Sequence, residues 1–454
     1  MKRLVTPVLA GLLLIAAAVA GSVLPVRPVD APALVAETPP TSVLCAPAPG
    51  AQVAVAASEP GATRSSLGDP DATTAVPGPS VVGMGAEPLR VAAPSGAVLG
   101  AAVTALGDAG ADRGLGAAPC VVPRADQWFT GVRAGANARA QLVLLNADAE
   151  AADVNLTAYG PGGRLAGLGG RGILVRGRTA STVDLGPILA SDAPLVVRVE
   201  TSAGRVGAVV RQTLFSGPDA VGADWLAAVG APATSAIVAG VPSGGGPRDL
   251  VVGNPGDRTA EVRIGVLGGS GTFAPAGADR VSVPPQSTRT VSLTGGLRGG
   301  GGAVRVTSDQ PVTASVEARS GTSVAQTDWA SSGASPVLDG QVWWPLATAS
   351  ATRATVTLAN PGATATSARV LVRAPDGGVL LDRAASVAAG ASVEVAVPAA
   401  DHPVVTVTSS GQVHAAVVLS GKAGTADGLA WLGVPARPAA EAGVRVAADP
   451  RVGA

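Results

Sequence analysis

The sequence predicts an all-β fold of tandem immunoglobulin-like β-sandwich repeats that follow an N-terminal apolar helix. Three observations carry this prediction. Short runs rich in Val and Thr alternate apolar with polar residues. The 61 Gly and 37 Pro interrupt these runs, at roughly the spacing expected of a sandwich or barrel. Related segments also recur with a period of slightly more than a hundred residues, which is the usual length of one immunoglobulin-like sandwich.

The composition argues against several classes of function. The 454 residues are 47% hydrophobic but only 2% aromatic and 14% charged, which is unlike a typical enzyme. The 32 basic and 32 acidic residues cancel, so the chain has no charge excess for binding nucleic acid or an anionic membrane surface. We therefore expect no nucleic-acid partner.

The N-terminus predicts entry into a membrane. Lys2 and Arg3 precede 23 uncharged residues, 4–26, which are long enough to span a bilayer as a helix. The small residues Ala18 and Ala20 also form a cleavage pattern, so residues 1–26 are either a membrane anchor or a signal peptide cleaved after Ala20. Both alternatives place the rest of the chain outside the cytoplasm. The Pro/Ala-rich residues 27–42 then predict a semi-rigid spacer.

An internal repeat organises the rest of the chain. An apolar run ends at Asn146, Asn254 and Asn360, which are 108 and 106 residues apart, and Pro-Gly follows the second and third of these. Asn, Pro and Gly favour a turn, in which the Asn side chain hydrogen-bonds to backbone.

A second recurrent block lies later in each copy. Residues 197–200, 304–307 and 405–408 alternate like strands, and each run precedes a short polar segment and a second strand-like run. We predict a hairpin here. Each copy then ends near a tryptophan, for which we predict a packing role: Trp225, Trp329 and Trp431.

The period divides the chain into modules. We predict a divergent short β module, three full sandwich repeats and a C-terminal tail, with the boundaries 43–122, 123–232, 233–335, 336–435 and 436–454. A β-propeller-like arrangement, in which each repeat supplies two blades, remains the alternative.

Cys45 and Cys120 are the only cysteines, and in an oxidising compartment we expect them to form a disulfide. Such a bond would compensate for the small core of the first module.

The search for catalytic chemistry finds no motif in a suitable context. The two histidines, His402 and His414, lack a nucleophile elbow or a metal-ligand spacing and are interpreted as ordinary loop or strand residues. The glycines of residues 167–172 match a dinucleotide fingerprint, but a strand rather than a helix follows them. We therefore predict no catalytic, cofactor or metal site. A pair of carboxylates for glycoside hydrolysis stays possible, because the fold sets their separation.

Two adjacent tryptophans are the candidate ligand surface. Trp343 and Trp344 open the third full repeat, where the second repeat has Ile237 and Val238. Aliphatic residues at the same place favour a core position, whereas sugar-binding sandwiches use exposed Trp rings for stacking. The sequence leaves both interpretations open.

An N-terminal anchor, a Pro/Ala spacer, an early cysteine pair and repeats with an Asn-Pro-Gly corner resemble an uncharacterised family of exported, membrane-anchored actinobacterial cell-envelope proteins. Asn146-Ala147-Asp148 departs from the corner pattern. The resemblance implies a role at the cell envelope and carries over no catalytic residue. We expect a non-enzymatic scaffold or adaptor, membrane-anchored or secreted, that binds an envelope protein or a cell-wall glycan. The alternative is an accessory carbohydrate-binding protein or an enzyme of envelope polysaccharide processing.

Overall fold

A computed structural model describes residues 41–434, apart from 49, 166–169, 324–325, 339 and 410. The predicted anchor 1–26, nearly all of the spacer, the predicted tail and part of the glycine motif therefore lie outside the described residues. Within the described part of the chain, no helix has the length and apolar content needed to cross a membrane.

The described chain forms four β-sandwich modules. Module 1 contains β1 Thr41–Cys45, β2 Gln52–Ala57, β3 Thr63–Ser66, β4 Thr74–Ala75, β5 Ser80–Gly83, β6 Leu89–Ala93, β7 Leu99–Gly107 and β8 Gly114–Pro119. Module 2 contains β9 Asp126–Val132, β10 Ala138–Asn146, β11 Ala152–Gly160, β12 Gly163–Arg164, β13 Ile173–Val175, β14 Thr179–Asp184, β15 Leu195–Ala203, β16 Gly207–Ser216 and β17 Asp219–Ala227.

Modules 3 and 4 complete the fold. Module 3 contains β18 Ala233–Val241, β19 Arg248–Asn254, β20 Ala260–Gly268, β21 Gly271–Phe273, β22 Arg280–Val283, β23 Ser287–Ser292, β24 Gly302–Arg319 and β25 Trp329–Gly333. Module 4 contains β26 Gln341–Pro345, β27 Arg353–Asn360, β28 Thr366–Arg373, β29 Val379–Val387, β30 Ala391–Ala396, β31 Val404–Ser409, β32 His414–Ala423 and β33 Ala426–Gly433. The helical elements whose bounds the structure describes are single turns at Gly110–Asp112, Gly186–Leu189 and Thr294–Leu297.

All four modules share one topology. Each module has eight strand positions. In module 2 β12 and β13 share position 4, in module 3 β21 and β22 share position 4, and β24 supplies positions 6 and 7 of module 3. Positions 1-6-3-4 form a front sheet and positions 5-2-7-8 form a back sheet, and the pairings are antiparallel. The fold class of repeated all-β sandwiches is thus confirmed. As in immunoglobulin domains, strand 2 pairs with 5 and strand 3 with 6. The outer strands differ, because strand 1 here pairs with strand 6 instead of strand 2.

The predicted hairpins are wrong. Strands 6 and 7 lie in opposite sheets: β15 pairs with β9 and β11, whereas β16 pairs with β10 and β17. In module 3 no turn separates them, and the 18-residue β24 contributes to both sheets. Alternation reveals one buried face per strand and does not show which sheet a strand joins. A short polar segment therefore fits a corner between sheets as well as a hairpin.

The four modules form a closed ring. The back sheet of each module packs on the preceding module, and the back sheet of module 1 packs on module 4. At that closing contact a Cβ on Gly100 of β7 would lie 2.9 Å from the Cβ of Trp343 on β26. The last strands β8, β17, β25 and β33 contact one another in a cycle at the centre. The alternative prediction was a β-propeller-like arrangement in which each repeat supplies two blades. The ring is closed as in a propeller, but the two sheets of each repeat pack on one another as a sandwich with its own core.

The corner asparagines stabilise their turns as expected. Asn146, Asn254 and Asn360 are buried, and their side chains repeat one set of hydrogen bonds. In Asn254, Nδ2 donates to the carbonyl oxygens of Arg258 at 2.7 Å and Val283 at 3.0 Å, while Oδ1 accepts from the Gly256 N–H at 3.0 Å. The same bonds exist in copy one, although Ala147-Asp148 replaces Pro-Gly there.

Asn254→Ala should lower the free energy of unfolding by about 3 kcal/mol, because buried backbone groups lose their partners. Asn137→Ala is the matched control, since among the described residues this exposed side chain makes a single hydrogen bond, at 3.4 Å to Asp192. It should change stability by less than about 0.5 kcal/mol. Urea denaturation measures both, and equal losses would contradict the role given to the corner.

Candidate functional site at the centre of the ring

The centre of the ring contains two buried carboxylates, and the first is Asp328. Asp328 precedes β25 in module 3, and its Oδ2 accepts the Leu115 N–H of module 1 at 2.7 Å and the Leu429 N–H of module 4 at 2.9 Å. Its Oδ1 accepts the N–H of Trp329 at 2.8 Å. Leu115 and Leu429 lie on β8 and β33, which are the last strands of their sheets. One carboxylate therefore joins three of the four modules.

The second carboxylate, Asp224 of β17, acts in the same way. Its Oδ1 accepts the Ala117 N–H of module 1 at 3.1 Å, and its Oδ2 lies 3.4 Å from the Ser331 N–H of module 3. Arg113 adds the complementary contact by donating to the carbonyl oxygens of Val221 and Thr327, both at 2.8 Å. Edge strands expose unpaired N–H and C=O groups. Here the side chains of Asp224, Asp328 and Arg113 satisfy several of those groups at the centre.

Burial dominates the electrostatics of both carboxyl groups. It raises the pKa of Asp328 to about 7, although backbone N–H bonds from Leu115 and Leu429 favour the ionised form. It raises the pKa of Asp224 well above the usual range, and the nearby Asp328 adds to this effect. Both oxygens of each carboxylate accept hydrogen bonds from backbone. Chemically, this arrangement is suited to holding strands together.

A shallow depression adjoins Asp224. Arg211 pairs there with Asp112 at 2.5 Å and lies 5.8 Å from the ring centroid of Trp225. Among the described residues, no group of three or more His, Cys, Asp or Glu side chains is placed to hold a metal ion.

The candidate ligand tryptophans have different environments. The side chain of Trp344 is 1% exposed in the core of module 4, and its Nε1 donates to the Gly433 carbonyl oxygen at 3.0 Å. The prediction of a stacking surface is therefore wrong for Trp344, because a buried ring has no free face. Trp343 is half-buried at the contact between modules 4 and 1, and its Nε1 donates to Gln341. A role for Trp343 in sugar binding stays a prediction.

The last-strand tryptophans pack between modules. Trp225, Trp329 and Trp431 are buried, and each joins the core of the preceding module. The Nε1 of Trp431, for example, donates to the Ala239 carbonyl oxygen of module 3 at 3.0 Å.

The cysteines and histidines named from the sequence, together with Asp401, take part in bonds that stabilise the fold or lie in turns. Cys45 and Cys120 form the expected disulfide and close a loop of 75 residues. His414 is buried, its Nδ1 lies 2.8 Å from the Ser335 carbonyl oxygen, and burial lowers its pKa. His402 occupies a left-handed turn with φ of 51°. Asp401, beside it, accepts the Ser350 N–H.

The roles of Asp224 and Asp328 escaped sequence reasoning. Both precede a repeated tryptophan, so the Asp-Trp pair was a visible signal. Module 4 has Ala430 at the corresponding place, and the nearby Asp427 pairs with Lys422 on an exposed hairpin.

Comparison with known proteins identifies the family. The model of a family of unknown function, DUF5719, matches residues 72–343. The chain belongs to this family. The DUF5719 match covers parts of all four modules, from β4 to β26. No curated protein matches this DUF5719 chain.

One solved structure similar to this DUF5719 protein is the Streptomyces avermitilis α-L-rhamnosidase complexed with L-rhamnose. The sequence identity is 12% and the TM-score is 0.14, with 83% of this chain and 54% of the rhamnosidase chain covered. This chain thus spans about half of that structure's length, and so low a TM-score carries no functional argument.

Proposed function

We propose that this protein is a non-enzymatic scaffold or adaptor of the cell envelope that lies outside the membrane and binds an envelope protein or glycan. The observation that carries the proposal is the closed ring. Asp224, Asp328 and Arg113 bond neighbouring modules at its centre. These two carboxyl groups and the guanidinium hold the modules in fixed positions relative to one another. A scaffold needs such fixed positions in order to present a rigid surface to its partner.

The disulfide supports the location. Disulfides persist in oxidising compartments and are rare in the cytoplasm. The Cys45–Cys120 bond is consistent with the export expected from residues 1–26. Whether those residues stay as an anchor or are cleaved after Ala20 is tested by sequencing the N-terminus of the mature protein.

Exposed apolar side chains recur at one place in the repeat. Leu174 of β13, Phe273 of β21 and Val379 of β29 are 64%, 42% and 60% exposed. All three strands occupy position 4, at the free edge of a front sheet. Exposed apolar groups beside an open strand edge suit a protein partner. We assign the partner-binding surface to these three edges.

The test introduces a photo-crosslinking amino acid at Leu174, Phe273 or Val379 of the full-length protein in its own cells. Leu106 is the matched control, because it is 59% exposed but lies on β7 of a back sheet. We expect one envelope protein to be crosslinked at the three edge positions and not at Leu106. Equal crosslinking at all four positions, or none at the edges, would contradict the adaptor.

A sedimentation assay with isolated cell wall tests the glycan alternative. If the full-length protein binds the glycan and Trp343→Ala reduces binding at least about tenfold, the exposed part of the Trp343 ring is the binding surface. Val337→Ala, another exposed apolar position, is the control and should leave binding unchanged. If Trp343→Ala leaves the amount of protein that sediments with the cell wall unchanged, Trp343 is not the residue that binds the glycan.

A further inference from the structure

The contact between modules 2 and 3 is unlike the other three contacts of the ring. Modules 1 and 2 meet through Val143, Leu145, Val209 and Trp225, which join the apolar core of module 1. The contacts of module 4 with modules 3 and 1 are mainly apolar and include Ala416, Trp431, Ala102 and Leu115. The buried Ser392 at the contact of modules 3 and 4 has its hydroxyl satisfied by the Leu267 carbonyl oxygen. The contact between modules 2 and 3 contains Trp329 but also a group of buried polar side chains.

Glu317 is the residue that most clearly distinguishes the contact between modules 2 and 3 from the other contacts. It lies two residues before Arg319, which pairs with Trp329 on the following strand. Val209 and Ala416 hold the same position relative to Trp225 and Trp431 in modules 2 and 4. A carboxylate therefore replaces a small apolar side chain at one contact of the ring.

The buried polar atoms around Glu317 are only partly satisfied. Its Oε2 pairs with Arg133 Nη2 of module 2 at 2.5 Å. Five buried atoms at this contact have no hydrogen-bond partner within the described protein: Glu317 Oε1, Arg133 Nε, Thr130 Oγ1, Thr313 Oγ1 and Ser315 Oγ. Thr313, Ser315 and Glu317 alternate along β24, so their side chains share one face of the sheet.

A glycine leaves room beside these atoms. A Cβ on Gly131 of β9 would lie 3.2 Å from both Glu317 Oε1 and Ser315 Oγ. The φ of Gly131 is +96°, a conformation that other residues rarely adopt. Its counterpart Gly240, with φ of +83°, faces Ala416 and Trp431 at the apolar contact of modules 3 and 4.

Buried polar groups without protein partners normally bind ordered water, and such water needs two or more polar partners. The group offers a donor, Arg133 Nε, beside a carboxylate oxygen and three hydroxyls that both donate and accept. We propose that water occupies the contact between modules 2 and 3 and that the ring opens here in preference to its other three contacts.

The electrostatics agree with a weak contact. Burial raises the pKa of Glu317 to about 7, and the neighbouring Asp249 adds to this effect, whereas Arg133 and Arg319 oppose it. The desolvation of the carboxyl therefore exceeds the benefit from its ion pair. Removing two charges from water commonly offsets the attraction that a buried pair gains. Replacing this pair by apolar residues should tighten the contact.

Thiol labelling of single-cysteine reporters tests the proposal. Both native cysteines are in the disulfide, so an introduced cysteine is the only free thiol. Ser315→Cys reports on the contact of modules 2 and 3. Ser392→Cys is the matched control at the contact of modules 3 and 4, because its buried Oγ donates to the Leu267 carbonyl oxygen. Under native conditions we expect Ser315→Cys in the full-length protein to be labelled roughly tenfold faster.

Two further measurements complete the test. Adding Glu317→Val and Arg133→Leu to the Ser315→Cys protein should slow labelling towards the rate of Ser392→Cys. A crystal structure should show water within hydrogen-bond distance of Glu317 Oε1 and Arg133 Nε. Equal labelling of the two reporters, or direct pairing of these atoms without water, would overturn the proposal. If Ser315→Cys does not fold, Thr130→Cys reports on the same contact.

Discussion

Asp328→Ala should lower the free energy of unfolding by about 4 kcal/mol, because three buried N–H groups lose their acceptor. Two of these groups, those of Leu115 and Leu429, belong to other modules. We therefore expect the ring to loosen at its centre before the separate sandwiches unfold. Urea denaturation gives the stability, and faster proteolysis between modules would report the loosening.

Asp427→Ala is the matched control for Asp328→Ala. Asp427 belongs to the equivalent strand of module 4 but pairs with Lys422 at the surface. Its removal should cost less than about 0.5 kcal/mol. Equal effects of the two substitutions would contradict a bridging role for Asp328.

The pH dependence provides a second control. Because burial raises the pKa of Asp328 to about 7, the folded protein binds this proton more tightly than the unfolded chain. The resulting stability is fully present below about pH 4 and is lost as the pH rises through 7. Asp328→Ala should remove this part of the pH dependence and leave the similar part that Glu317 contributes.

Reduction of the Cys45–Cys120 disulfide should have a comparable effect. The bond closes a loop of 75 residues, so its loss should destabilise module 1 by about 4.5 kcal/mol in the chain-entropy model. Module 1 contacts both module 2 and module 4, so the ring should open when module 1 unfolds. Limited proteolysis with and without reductant should show new cleavage sites between residues 46 and 119.

The control for this prediction is the variant with Cys45→Ala and Cys120→Ala. It should resemble the reduced protein and show no further response to reductant. Cleavage that is equally fast in the oxidised and reduced proteins would contradict the stabilising role of the bond.

Sequence patterns predicted the modules more accurately than their arrangement. Alternation identifies strands because each strand buries one face, and the asparagine corners marked the repeat period. The partners of a strand depend on contacts between distant segments. The runs around Val197 and Val206 therefore looked like a hairpin, although they belong to opposite sheets.

The central site was less predictable for a related reason. Asp224 and Asp328 are visible in the sequence, but their partners are backbone N–H groups of other modules. Any residue except proline supplies such a group, so no side-chain pattern marks these positions. Trp343 and Trp344 show the same limit, because adjacent strand residues point to opposite faces and only one of these rings is fully buried.

The contact of Gly100 with Trp343 has a consequence for the order in which the protein is made and folds. These residues are separated by more than 200 positions, so the outer face of the back sheet of module 1 remains uncovered until the strand that contains Trp343 has been synthesised. Contacts between distant segments form slowly and expose partly folded chains to misassociation. The disulfide of module 1 would preserve the sandwich during this interval, so the bond should matter most before the ring is complete.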